Sequence, residues 1–166
     1  MGNRKIRGAT KTSSLGITFK SQLEKSLYKV LLEEGFKPQY EPKTFIIWEG
    51  FKSVTPFYDK ETDKQHEKRD PKSPKLLSLK SPIIQPIRYT PDIFLEYRGI
   101  EVWIECKGFE NDLFYIKKKM FRKLLDNLFY STGKRSLYFE IYSKRQLFQA
   151  IDIIKNYGQE FNSKTD

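Results

Sequence analysis

A chain of 166 residues has the size of one ordinary domain, and its 31 Lys and Arg against 21 Asp and Glu leave a formal net charge of +10, which favours a polyanionic partner, nucleic acid before an anionic membrane surface. No apolar run approaches the roughly 20 residues that span a bilayer, and the N-terminus lacks the apolar core of a signal peptide, so a cytoplasmic protein with no membrane partner is expected. The single cysteine, Cys106, and single histidine, His66, exclude a disulfide framework, a Cys/His zinc site and any mechanism needing two histidines, so a bound metal would have carboxylate ligands.

In chain order, residues 1–17 carry Arg4, Lys5, Arg7 and Lys11 without an acid. They read either as a basic arm that tracks DNA or as an ordinary disordered tail, with order beginning near Thr18. From Ser21 to Glu34, Leu23, Leu27, Val30 and Leu31 recur at helical spacing and Gly35 is placed to cap the helix. Thr44 to Trp48 predicts a strand, and Ile83 to Thr90 a weaker one interrupted by Pro86. Residues 50–82, charged in both senses and broken by Pro56, Pro71 and Pro74, read as a long inserted loop, partly mobile. Strands are expected over Asp92 to Tyr97 and Ile100 to Lys107, around Arg98-Gly99. A helix over Asp112 to Tyr130 would turn Leu113, Ile116, Met120, Leu124 and Leu128 inward and close at Gly133. Leu137 to Tyr142 alternates as a strand, and Ser143 with Gln146 opens a last helix to Tyr157. The order is αβββ(β)αβα, a mixed α/β (α+β) arrangement in one domain over 18–158, with 159–166 as a tail.

If Arg98 and Gly99 are the two loop residues of a tight hairpin, antiparallel partners have numbers summing to 197 and Asp92 lies opposite Glu105. The same register pairs Ile93 with Ile104 and Leu95 with Val102 on a wholly apolar opposite face. Alternation puts Lys107 on the face of Glu105, so two acids and an ammonium converge. Two carboxylates within about 5 Å repel when both are ionised, and a hard divalent cation, Mg2+ first, relieves that repulsion. Such a centre suits phosphodiester hydrolysis.

Thr90-Pro91-Asp92 followed after 12 residues by Glu105-Cys106-Lys107-Gly108 resembles the signature of the PD-(D/E)xK nuclease superfamily. The stretch from Phe19 to Glu24, Tyr40-Glu41, Tyr89 to Asp92 and Ile104 to Gly108 are similar to the junction-resolving endonuclease I family of phages. The resemblance implies a restriction-endonuclease-like αβββαβ core, a mixed sheet flanked by helices. It also implies an Mg2+-dependent endonuclease, with Mn2+ able to substitute, acting on branched DNA as a homodimer. Asp92, Glu105 and the carbonyl of Cys106 would be metal ligands, Lys107 the catalytic lysine, and Glu24 a helix-borne acid completing the site. The same patterns occur in transposon end-cleaving and restriction nucleases, and a catalytically inactive DNA-binding member of the fold is a third reading. Residues 50–82 are longer than the family's connection there.

Each residue also has a plainer reading. Glu-x-Lys is common on solvated strands, and Glu24 with Ser21 makes a capping box without catalysis. Lys117, Lys118, Lys119, Arg122 and Lys123 are either DNA-phosphate contacts or a solvated helix face. Trp103 and Phe94 suit packing better than base stacking, the Cys106 side chain suits a buried apolar position, and His66 is given no chemistry.

Overall fold

A computed structural model describes residues 11–108 and 112–162; Arg4, Lys5 and Arg7 fall outside them. The chain divides into two units, one formed by the residues up to 47 with those from 89 onward, the other by 48–88.

The first unit opens with a small antiparallel hairpin of β1 (Thr12–Ser14) and β2 (Ile17–Phe19). Its two turn residues, Leu15 (φ 56°) and Gly16 (φ 74°), both adopt the left-handed backbone that two-residue hairpins need. Order therefore starts at Thr12 or before, not near Thr18, and Lys25 Nζ of the following helix reaches Thr12 Oγ1 at 3.0 Å. Each strand is only three residues long, so even the Ile17-Thr18-Phe19 alternation is too short to mark a strand in the sequence.

Helix α1 (Gln22–Glu33) is capped by Ser21, whose Oγ accepts the Glu24 N–H at 3.2 Å. It ends at Gly35 (φ 83°), where the Phe36 N–H reaches back to the Leu31 carbonyl at 3.0 Å. Then come β3 (Gln39–Tyr40) and β4 (Phe45–Trp48). The second unit contributes β5 (Phe51–Lys52), β6 (Tyr58–Lys60), α2 (Asp63–Arg69), β7 (Leu77–Leu79) and β8 (Ile83–Ile84). The chain returns through β9 (Ile87–Tyr89), β10 (Ile93–Tyr97), β11 (Ile100–Cys106), α3 (Asp112–Thr132), β12 (Ser136–Ile141) and α4 (Lys144–Asn162). The expected strand over Ile83 to Thr90 is thus two strands parted at Pro86, which cannot donate to a ladder.

The main sheet has the strand order β12-β11-β10-β3, antiparallel except for the parallel β11–β12 pair. A parallel neighbour requires a crossover, and α3 supplies it. The β10–β11 register pairs Ile93 with Ile104, Leu95 with Val102 and Tyr97 with Ile100, the register the sequence implied. One sheet face buries Ile93, Leu95, Val102 and Ile104 with Leu27 and Leu31 of α1 and Leu147, Ile151 and Ile154 of α4. The second core joins Trp103 to Phe45, Tyr89, Phe114, Phe121 and Leu125. The fold class is mixed α/β with a central mixed sheet, and no described helix is long and apolar enough to cross a membrane.

Helix α3 follows the expected orientation in its second half, where Leu124 and Leu128 pack against the second core, and departs from it in its first turns. Leu113 and Ile116 are 48% and 54% exposed, while Phe114, Phe121 and Leu125 face the sheet. The aromatic side chains decide those first turns by ring packing: Phe121 meets Tyr89 (4.8 Å between centroids), Phe45 (5.1 Å) and Tyr138 (5.4 Å).

The second unit replaces the expected loop. Two ladders, β5 with β8 and β6 with β7, frame α2. Thr62 and Gln65 form a reciprocal capping box that starts this helix. Arg69 donates to both oxygens of Glu61 (2.9 and 3.2 Å from Nε), and Glu61 also accepts the Leu76 N–H. Those contacts hold the Glu61 carboxyl down at about 2. Short strands carrying Asp and Lys gave the sequence no apolar period to detect.

Candidate active site

The site grows from the turn at Arg98 (φ 50°) and Gly99 (φ 77°), both left-handed as a two-residue turn of type I′ requires. That turn fixes the register, and the register carries Asp92, just before β10, to the end of β11. There Asp92 Oδ2 accepts the Cys106 N–H at 2.7 Å. Glu105 Oε1 pairs with Lys107 Nζ at 2.5 Å, and Glu105 Oε2 accepts the Tyr89 hydroxyl at 2.5 Å. Asp92 and Glu105 are 8% and 4% exposed. The Lys107 ammonium also lies 4.2 Å from the Phe114 ring centre, so α3 roofs the hairpin end.

Two buried acids side by side resist ionisation. Burial first, and then the charge of Glu105, push the Asp92 carboxyl up to about 8. Glu105 is also raised by burial, against the opposing pull of Lys107 and the Tyr89 hydrogen bond. Tyr89, whose hydroxyl lies 3.0 Å from that of Tyr138, is held strongly in its neutral form by burial and by Glu105.

Glu24, 6% exposed on α1, adds its charge to that felt by both Asp92 and Glu105. Its own oxygens are engaged: Oε1 accepts Ser21 Oγ at 2.8 Å, and Oε2 accepts the Lys20 N–H at 3.0 Å and the Tyr40 hydroxyl at 2.5 Å. The capping reading of Ser21 is therefore correct in part, except that the Glu24 carboxylate takes the Lys20 N–H instead of that of Ser21. Beside it Glu41 holds a left-handed backbone (φ 43°), a conformation costing a non-glycine residue about 1 kcal/mol or more. That turn aims the Glu41 N–H at the Asp92 carbonyl, 2.8 Å away, while its carboxylate pairs with Lys20.

The structure thus brings together Asp92, Glu105 and Lys107, with Glu24 in the same electrostatic neighbourhood. It adds Tyr89, Tyr40, Tyr138, Lys20 and Glu41, which sequence reasoning gave no role. Tyr89 and Tyr138 are 49 residues apart in sequence, and Tyr40 is 16 from Glu24, so no local pattern links them. The Cys106 side chain is buried on the α1/α4 face, and Phe94 stacks on Trp103 at 4.4 Å as packing. His66 Nε2 contacts the Ser73 carbonyl. Of the basic residues, Lys118 pairs with Glu140 at 2.9 Å beside Glu105, whereas Lys11, Lys119, Arg122 and Lys123 are exposed and Lys117 is half-buried.

Among the described residues no group of three or more His, Cys, Asp or Glu side chains is arranged to hold a metal ion. The donor chemistry nonetheless suits a hard dication. Asp92 and Glu105 are buried carboxylates, the kind of oxygen donor such an ion takes, and a cation would remove their mutual repulsion. Comparison with family models, with curated proteins and with solved structures finds no match to this chain.

Proposed function

We propose that the hairpin end is the active centre of an Mg2+-dependent DNA endonuclease of the PD-(D/E)xK type, selective for branched DNA and acting as a homodimer. The observation that carries this reading is the burial of Asp92 beside Glu105 with Lys107 on the outer oxygen of Glu105. Asp92, Glu105 and the carbonyl of Cys106 would hold the ion, and Glu24, whose Oε2 already accepts from Tyr40 and Lys20, would join them through Oε1, which among the described residues accepts only from Ser21. When bound, Mg2+ or Mn2+ supplies charge neutralisation at the phosphate and a more acidic water. Lys107, drawn off Glu105 by an incoming phosphate, places its ammonium against the charge that grows on the phosphoryl oxygens. The net charge of +10 supplies the long-range attraction for a polyanion.

The test incubates purified protein with linear duplex, single strand and a four-way junction, in Mg2+ or in chelator. Cutting confined to the junction and to Mg2+ is the expected result. Metal-dependent cutting of linear duplex would move the reading to a sequence- or end-directed nuclease, and tight binding with no cutting in any metal would leave only a DNA-binding protein.

A further inference from the structure

The solvent side of α3 carries apolar and cationic groups that the sheet does not use. Tyr115 is 50% exposed, immediately after Phe114, the residue that lies under the Lys107 ammonium. Lys119 holds its ammonium 4.2 Å from the Tyr115 ring centre, so a cation sits against the ring. Residues 115, 119 and 122 follow i, i+4, i+7 spacing and form one stripe on the helix. Arg122 continues it to a groove of about 360 Å³ bounded by Tyr138 and Glu140 on β12, the edge strand of the main sheet. The acids on α3 are Asp112 and Asp126, against five Lys and Arg. An exposed ring beside a cation on a basic helix has the chemistry of a platform for one nucleic-acid strand: a base has a π-face for the ring, and its flanking phosphates match the cations. An acidic peptide would satisfy the lysines but leave the ring unused.

We propose that Tyr115 stacks an unpaired base of a single DNA strand, with Lys119 and Arg122 taking the adjoining phosphates. Together they form a strand-binding surface that starts one residue from the Phe114–Lys107 contact. This deepens the nuclease reading, since branched DNA with a flap, gap or single-stranded arm carries unpaired bases, and rests on it only for the claim that the strand leads to Asp92 and Glu105.

The experiment measures binding of an oligothymidylate carrying one 2-aminopurine, by full-length protein in chelator, so that no cleavage enters. Wild type and Tyr115→Phe should quench the fluorophore equally, and Tyr115→Ala should bind roughly 5- to 100-fold more weakly and lose the quenching. Lys119→Ala and Arg122→Ala should keep the quenching and each lower the salt dependence of log K by about 0.7. Tyr115→Ala binding and quenching like wild type would overturn the proposal, as would equal competition by a polyglutamate peptide. Because the readout is metal-free, quenching by a protein that cuts nothing in Mg2+ would keep the platform and discard the nuclease.

Discussion

Residues 48–88 and the sheet-bearing unit obey different physics. Around the main sheet, Phe121, Ile104, Leu147 and Ile154 are fully buried, and stability comes from apolar area and ring packing. In 48–88 no residue is buried; Val54, Phe57, Leu77 and Leu79 are all more than half exposed. That unit is held by two short ladders, a capping box and the Arg69–Glu61 pair, interactions each worth little at a wet surface. Close backbone approach adds to them: a Cβ on Gly50 would come within 2.5 Å of the Ile84 carbonyl oxygen. Only the unit with a dry interior can keep two carboxylates from water, and that is where the acids are found.

The sharpest contrast is mechanical. Phe121→Ala should cost about 3–5 kcal/mol by emptying a ring site at the centre of the second core, while Phe57→Ala, 60% exposed, should change global stability by under about 0.5 kcal/mol. Denaturant melts of the two variants measure this, and equal losses would erase the distinction between the units. Next in size, Asp92→Asn or Lys107→Ala should reduce cleavage at least about 100-fold while leaving DNA affinity within a few-fold, because phosphate contacts elsewhere supply most of the attraction. A parallel collapse of binding would make these residues structural.

A smaller effect follows from the charge state of Asp92. Its folded carboxyl is raised from 3.8 to about 8, so its contribution to stability is complete below about pH 4 and is lost as pH rises towards about 8. In chelator, Asp92→Asn should therefore melt several degrees above wild type near pH 8, about 1–2 kcal/mol, and close to wild type near pH 4. Mg2+ should stabilise wild type and not the variant. Identical melting at both pH values would show that the acids carry no repulsion. The smallest effect is local: amides of β6, α2 and β7 should exchange faster than those of β11. Arg69→Ala should speed them further without changing exchange at Cys106. Glu61, held at about 2, keeps its bond to Arg69 above about pH 4.5 and loses it as pH falls towards about 2, so acid should loosen 48–88 in the same way. Slow exchange throughout 48–88 would give that unit a core it lacks here.

Much of the candidate site was legible from residue order. A two-residue turn at Arg98-Gly99 sets the register by arithmetic, and Ile93, Leu95, Val102 and Ile104 confirm it from the opposite face, so the meeting of Asp92, Glu105 and Lys107 needed no coordinates. The orientation of α3 was legible only in part: Leu124 and Leu128 pack inward as their spacing implies, whereas Leu113 and Ile116 turn outward because Phe114 and Phe121 take the inner positions. Nor was the hairpin at 12–19 legible, because strands of three residues are too short to establish a period.

Local chemistry, in short-range turn geometry and apolar alternation, determined the β10–β11 hairpin and the acids at its end. Tertiary structure alone decided that Tyr89 clamps Glu105, that Tyr40 occupies Glu24, and that Lys118 answers Glu140. The reason is distance along the chain: these partners lie between 16 and 22 residues apart and on different elements, so they meet only once the sheet and its helices have packed.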